Sequence, residues 1–309
     1  MQIQMNTMKS QEGIALIMVF LVVALVSFIA TGIASKQNIS TKRTYNLLNY
    51  EQAYVQLLGA EDWVKTILIA DVDPANNGKG NNATEDSLDD WWNRDLQGNI
   101  GAEIKLPIEN GVLTGKIEDL QGRFNINNLF NSSTQTPNPE YLPLMRNFIK
   151  AVNDSNKDVN IPIQTDAIVD WIDNDLDALP NGGEDGEYLS REIPYVAANQ
   201  VMASATELIK ITGFSYADYN IMSPPQSEKS SPTLIALPET TPININTAKE
   251  MQFRMLIPGI NNTDIQAILD ARSDGGFDNI SDFTALAVVP NNLPINIIAL
   301  RSNFFLLRI

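Results

Sequence analysis

Eight carboxylates fall between Val159 and Ser190 (Asp166, Asp170, Asp173, Asp175, Asp177, Glu184, Asp185 and Glu187), with no lysine or arginine among them. So dense a cluster repels itself unless a cation or solvent neutralises it, and its spacing favours a cation. Asp173, Asp175 and Asp177 stand at alternate positions, and Glu184 falls at the twelfth place counted from Asp173, as carboxylates do in an EF-hand loop. The match is incomplete. Ala178 replaces the glycine of the sixth place, Pro180 occupies the eighth, and no clear helix is expected after Glu184. The reading is a calcium loop of related logic, with oxygen ligands converging on the turn Pro180-Asn181-Gly182-Gly183; a solvated acidic loop is the alternative.

Other chemistry is scarce. The 309 residues include no cysteine and no histidine, which excludes disulfides, Cys/His zinc sites, Ser-His triads and cysteine nucleophiles. Paired-carboxylate hydrolysis remains open, but it needs two carboxylates in contrasting environments, and these are crowded into one glycine-rich turn. Against 37 acidic residues stand 21 basic ones, and the net charge of −16 disfavours binding to nucleic acid or anionic lipid.

The elements that must carry this loop begin with an apolar run. Ile14 to Ala34 is 21 residues without a charge. As a helix it spans roughly 32 Å, a bilayer's hydrocarbon thickness. Before it lie a polar leader, Met1 to Ser10, then Gln11, Glu12 and Gly13. A secretory signal has a shorter apolar region, although Gly32-Ile33-Ala34 keeps cleavage there open, and a plain single-pass anchor fits equally. The basic residues after the run (Lys36, Lys42, Arg43) outnumber Lys9 before it, so a bare charge count would leave the C-terminal part in the cytoplasm. A glycine immediately before the apolar run resembles a type IV pilin-like N-terminus. That resemblance implies cutting by a prepilin peptidase between Gly13 and Ile14, an inner-membrane anchor and a periplasmic bulk. Pilins usually carry glutamate at the fifth mature position; here it is Met18.

Leu47, Leu48, Tyr54, Leu57, Leu58, Trp63, Ile67 and Leu68 recur at spacings of three and four, predicting one helix that continues to about Ala70. Asp71 to Ser87 reads as a loop, with Trp91-Trp92 returning the chain to the core. Ala102 to Ile108 and Val112 to Leu120 predict two strands around the hairpin signal Asn110-Gly111. The segment Asp119 to Leu129 (DLQGRFNINNL) follows, where Gly122 is expected to supply a special backbone angle and the asparagines to cap turns. Residues 131 to 141 read as a crossing into a helical part. Its helices are expected at Tyr141 to Val152, Ile163 to Ile172, and Ala205 to Gly213 with a glycine C-cap.

The segments DLQGRFNINNL and Asp170 to Gln200 (DWIDNDLDALPNGGEDGEYLSREIPYVAANQ) resemble the minor pseudopilins of the K type in type II secretion systems, which also lack the fifth-position glutamate. The resemblance implies a non-catalytic subunit that starts and caps a pseudopilus with minor pseudopilins of the I and J types. It also implies calcium bound in this region, with Asp173, Asp175, Asp177, Glu184 and Asp185 as candidate ligands. The expected fold is α+β: a long N-terminal helix on an antiparallel pilin-like sheet, with a large inserted helical domain. The expected divisions are a leader at 1–13, a membrane segment at 14–34, and a pilin-like part at 35–130 completed by 297–309. The insert covers 131–296, including the acidic loop at 170–188.

After a second crossing, Ser223 to Pro238, the stretch at 242–290 resembles a helix-hairpin-helix module. Asn246 or Thr247 is expected to cap its first helix, Pro258-Gly259 to turn the chain, and Asn262 or Thr263 to cap the second. Such modules often grip DNA phosphates, which keeps a DNA-uptake protein and a generic anchored binding protein open as alternatives. Between Lys249 and Phe283, however, three basic residues face six acidic ones (Glu250, Asp264, Asp270, Asp274, Asp278, Asp282). Phe304 to Ile309 is expected to rejoin the sheet as its last strand.

Overall fold

The computed structural model describes residues 11–72, 85–108, 111–155, 160–161, 164–227, 231–272 and 275–309. The leader Met1 to Ser10, most of the loop expected at Asp71 to Ser87, the turn residues Glu109 and Asn110, Ile163 and the Lys229-Ser230 pair lie outside these residues. The chain divides into two compact units, Met1–Trp63 and Val64–Ile309.

The described part of the first unit is one helix, α1 (Gln11–Val72), whose last residues belong to the second unit. No proline interrupts it, and it ends two residues ahead of Pro74. From Gly13 onward it is long and apolar enough to cross a membrane, and none of its most apolar window is buried within the protein. A helix apolar all round with no protein around it suits lipid. Within the run, the Thr31 hydroxyl donates to the Ser27 carbonyl at 2.8 Å, which keeps that hydroxyl satisfied where water is absent.

The second unit carries a three-stranded antiparallel sheet whose central strand pairs with one neighbour in the hairpin and with the chain's last strand. The hairpin forms where alternation placed it, from β1 (Ile104–Ile108) and β2 (Gly111–Asp119), with Ile104 opposite Gly115 and Ile108 opposite Gly111. The last strand, β9 (Phe305–Arg308), pairs with the second half of β2, Asp119 opposite Phe305. Everything between β2 and β9 is inserted between neighbouring strands. Trp92 is fully buried with its ring 5.3 Å from that of Phe305, whereas Trp91 stays exposed, so only one of the pair joins the core.

Short pairings open the insert: β3 (Phe124–Asn125) and the small ladder of β4 (Phe130–Asn131) with β5 (Thr136–Pro137). Next come α2 (Leu142–Ser155), which buries Leu144, Met145, Phe148 and Val152, then α3 (Thr165–Ile172) and α4 (Asp185–Leu189). Two expectations are corrected here. A helix does begin directly after Glu184, and Ala205 to Lys210 forms a 3-10 helix rather than an α-helix. A Ser204–Glu207 capping box starts that turn, and Gly213 sits beyond its end with φ of 78°. After α5 (Tyr216–Met222), β6 (Leu234–Ile235) pairs parallel with β3.

The segment after β2 is the seam of this unit. Asn125, Asn127 and Asn128 are almost wholly buried, and their amides act as substitute backbone. Asn127 accepts from Met202 N at 2.9 Å and donates to the carbonyls of Met202 and Leu237, both at 2.9 Å. Asn125 accepts from Leu237 N at 3.0 Å, and Asn128 pairs both ways with Thr241. One of these contacts is a cap, Asn125 to Asn127 N at 3.2 Å; the rest are long-range ties. Gly122 also differs from expectation. Its φ is not in the left-handed region; glycine is needed because a Cβ there would lie 2.7 Å from Thr247 Oγ1 and 2.8 Å from the Thr247 carbonyl oxygen.

Candidate metal centre

Asp170 lies in the last turn of α3, Asp173 caps that helix, and Glu184 stands at the N-cap of α4. Two helix ends therefore aim carboxylates at one point. One oxygen from each of Asp170, Asp173 and Glu184 lies within 4.8 Å of the others. Aromatic side chains join the two helices: Trp171 of α3 meets Tyr188 of α4 edge to face at 5.2 Å, and Tyr188 stacks on Tyr195, in the segment after α4, at 5.4 Å. The Arg191 guanidinium lies over both tyrosine rings.

The loop folds around Asp170. Its carboxylate accepts from Leu179 N at 3.0 Å and from the backbone N–H of Gly183. Gly182 passes so close that a Cβ there would come within 1.8 Å of Asp170 Oδ2, so glycine at 182 is required by the carboxylate beneath it, whereas a Cβ at Gly183 would crowd the Glu187 side chain at 3.2 Å. Asp173 and Glu184 are 5% and 8% exposed, and Asp173 Oδ1 and both Glu184 carboxylate oxygens are buried with no hydrogen-bond partner among the described residues. Burial, then the neighbouring Asp175 and Asp170, push Asp173 up to about 7. Burial and the charges of Asp173, Asp170, Asp175 and Asp185 do the same to Glu184. Among the described residues no lysine or arginine pairs with any of the three.

Buried carboxylates cost several kcal/mol each unless paired or coordinated. This donor set fits a hard divalent cation. Calcium–oxygen distances of about 2.3–2.6 Å allow ligands up to roughly 5 Å apart across the ion, and the three oxygens here all lie within 4.8 Å of one another. Catalysis by a carboxylate pair is a poorer match, since Asp173 and Glu184 share one environment and one direction of shift.

Of the five residues expected as ligands, the structure brings Asp173 and Glu184 together. Asp175 is exposed, accepts from Asp177 N at 2.9 Å, and acts on the three carboxylates through its charge. Asp177 is exposed on the loop. Asp185 turns to Ala197 N at 2.9 Å, tying α4 to the following segment. Asp170 was not among the expected ligands, although its place three residues before Asp173, one helical turn back, is a signal the sequence carries. A second buried group, Asp71, Asp86 and Asp90, gathers from the end of α1 and the chain leading to Trp92. Here the carboxylates serve the local fold: Asp90 accepts from Ser87 N at 2.6 Å and from Trp92 Nε1 at 3.3 Å, and Asp86 accepts from Ser302 N at 2.6 Å.

The stretch compared above to a nucleic-acid module comprises β7 (Ile243–Asn244), α6 (Glu250–Leu256), a turn with Gly259 at φ of 74°, and α7 (Asn262–Ala271), followed by α8 (Ile280–Thr284) and β8 (Ile298–Ala299). The caps fall later and earlier than expected. Lys249 is the N-cap residue of α6 and Asn261 caps α7, accepting from Asp264 N. Asn246 is buried and holds Phe277 through both amide atoms instead. Arg254 is bound to Glu250 at 2.6 Å and also donates to Asn262, and Arg272 donates to the carbonyls of Ile245 and Ala248. With these cations committed, the chain is expected to give no salt-sensitive retardation of duplex DNA at low ionic strength, where electrostatic binding is strongest. Retardation that weakens with added salt would restore the nucleic-acid reading.

A family model described as type II secretion system (T2SS), protein K, matches residues 122–226, and a second of the same description matches residues 243–297. Type II secretion system protein K of Pseudomonas aeruginosa is 31% identical over 277 residues, covering 89% of this chain and 77% of its own length. The protein K of Aeromonas hydrophila is 29% identical over 264 residues, covering 82% and 72%. Among solved structures, a chain in the GspK-GspI-GspJ complex from the enterotoxigenic Escherichia coli type 2 secretion system superposes with a TM-score of 0.63 at 22% identity, over 86% of this chain and 88% of that one. At that identity the likeness is one of fold.

Proposed function

Because this chain belongs to the type II secretion system protein K family, we propose that it is a non-enzymatic minor pseudopilin that starts and caps the pseudopilus together with minor pseudopilins of the I and J types. The observation that carries the proposal is the single uninterrupted helix from Gln11 to Val72, apolar at its start, leading into a sheet whose strands β2 and β9 are separated by the whole insert. A subunit with so large an insert is poorly suited to being built over. Met18 at the fifth position after Gly13 lacks the carboxylate with which a pilin subunit usually meets a neighbour's N-terminal amine. Prepilin peptidase cuts between Gly13 and Ile14, the helix anchors the chain in the inner membrane, and the remainder works in the periplasm.

Within this reading Asp170, Asp173 and Glu184 hold a calcium ion, with Asp175 close enough to add charge. The ion would supply the positive charge that three buried carboxylates lack and would close the 173–184 loop; its role is structural. Magnesium, which demands a tighter octahedral shell, should replace it poorly.

Co-expression with prepilin peptidase and with minor pseudopilins of the I and J types tests the assembly. The expected products are a mature chain beginning at Ile14 and a complex containing all three proteins, while Gly13→Phe leaves the precursor uncut. A retained Met1, a new terminus near Ser35, or a processed chain that purifies free of both partners would end this reading.

A further inference from the structure

One cleft in the second unit carries a charge opposite to that of the chain as a whole. Of about 310 Å³, it is lined by Lys116 of β2, Arg123 beyond that strand and Lys249 at the start of α6, with Leu88, Ile100 and Ile117 as apolar wall. In a chain of net charge −16, three cations share this one opening.

The two carboxylates on the same wall are already engaged. Asp119 is buried and accepts from Thr247, from Ser302 at 2.8 Å and from Asn244 at 3.1 Å. Glu118 holds Arg123 at 2.6 Å and is shared with Arg308 at 3.3 Å. Lys116 ends on the Gly101 carbonyl at 2.8 Å and Lys249 on the Ser231 hydroxyl at 2.7 Å, and among the described residues neither reaches a carboxylate at ion-pair distance. Burial lowers the Lys249 pKa; Glu118 opposes that, while Arg123, Lys116 and Arg272 lower it further. Two ammonium groups with neutral partners therefore face the cleft beside a third cation already paired.

We propose that this cleft binds an acidic peptide segment, with Lys116 and Lys249 holding a glutamate or aspartate carboxylate and Leu88 and Ile100 covering an apolar residue beside it. A phosphate group is the weaker fit. Its preferred recognition is a free guanidinium fork or a cluster of backbone amides, and the one guanidinium lining the cleft is occupied by Glu118. The exposed apolar rim, Leu88 and Ile100, also asks for a ligand with an apolar flank. This inference does not rest on the assembly reading above, and its test uses the chain alone.

Ligand-observed NMR on the full chain in neutral detergent, titrated with acetyl-Leu-Glu-amide, acetyl-Leu-Gln-amide and inorganic phosphate, separates the sources. The glutamate peptide is expected to bind with a Kd of about 1 mM, weakening with salt, and the glutamine peptide about tenfold more weakly. Lys116→Met and Lys249→Met together should abolish the preference for glutamate while leaving the melting temperature unchanged, and Lys150→Met, on α2 and paired with Asp154, should leave binding intact. The proposal falls if both peptides bind alike, if phosphate binds more tightly than the glutamate peptide, if the double variant keeps its preference, or if no binding appears by about 10 mM peptide.

Discussion

Calcium is expected to raise the melting temperature of the full chain in neutral detergent, and chelation to reverse the rise. Three carboxylates within 4.8 Å of one another, two of them carrying oxygens with no partner, are converted by one ion from mutual repulsion to coordination. Only the folded loop brings α3 and α4 together, so binding stabilises the folded state. At free calcium a hundredfold above the dissociation constant the gain is about 2.7 kcal/mol, or roughly 5–10 °C for a unit of this size. Asp173→Asn and Glu184→Gln remove a buried charge at nearly constant volume. Each should melt no lower than the parent under chelation and should lose most of the calcium response. Asp170→Asn is different, because its carboxylate also closes the turn through Leu179 N and Gly183 N, and it should melt lower in both conditions. Gly182→Ala, which drives a Cβ into Asp170, should behave like Asp170→Asn. If chelation leaves the parent unchanged, or an Asp173→Ala, Asp175→Ala double variant responds as fully as the parent, the acidic loop is a solvated surface and the metal reading is wrong.

The parts of this structure that were legible in the sequence are those governed by repetition. The 62 residues of α1 follow from an apolar run, a continuing stripe and the absence of proline, and the hairpin follows from alternation about Asn110-Gly111. The stripe from Tyr141 to Val152 places the start of α2 within one residue and its end three residues short, and the apolar end of the chain is β9. What was hidden depends on neighbours distant in sequence. Asn125, Asn127 and Asn128 look like turn formers because asparagine usually is one; apart from the Asn125 cap and its bond to Asn128, their partners stand 75 to 116 positions away. Asn246 looks like a helix cap, but buried beside Phe277 it satisfies that residue's backbone, and the cap position passes to Lys249. The five residues of α4 are too few to show a period, so the helix after Glu184 gave no pattern to read. In the acidic loop, alternation drew attention to Asp175 and Asp177. Burial chose Asp170, because a helix end rather than an extended loop presents the first carboxylate.

Gly122→Ala should be among the most destabilising single substitutions in the second unit, although it adds one methyl group. The atoms it meets are not free to withdraw. Thr247 Oγ1 at 2.7 Å donates to the buried Asp119 carboxylate, and the Thr247 carbonyl at 2.8 Å is backbone. Asp119 also accepts from Ser302, Asn244 and Gln121 N, so moving Thr247 loosens the joint where β2, β7 and the approach to β9 meet. Overpacking costs about 1–3 kcal/mol, and disturbing a buried hydrogen bond to a charged group costs about 1.5–3 kcal/mol, so a loss of roughly 3–5 kcal/mol is expected. The same joint has a pH signature. Burial raises the Asp119 pKa from 3.8 to about 6, so between those values the folded protein holds a proton that the unfolded chain releases. Its contribution to stability is therefore greatest below about pH 4, declines as pH rises to about 6, and is flat above. Asp119→Asn should make the decline between about pH 4 and 6 shallower, measured as melting temperature against pH under chelation; the part that remains belongs to Asp90, Asp173 and Glu184, which burial also raises. Gly186→Ala supplies the control: a Cβ at that exposed position in α4 meets nothing within 4 Å, and alanine should leave stability unchanged or raise it by up to about 1 kcal/mol. If Gly122→Ala melts within a degree or two of Gly186→Ala, the close approach of Gly122 to Thr247 does not hold this joint together.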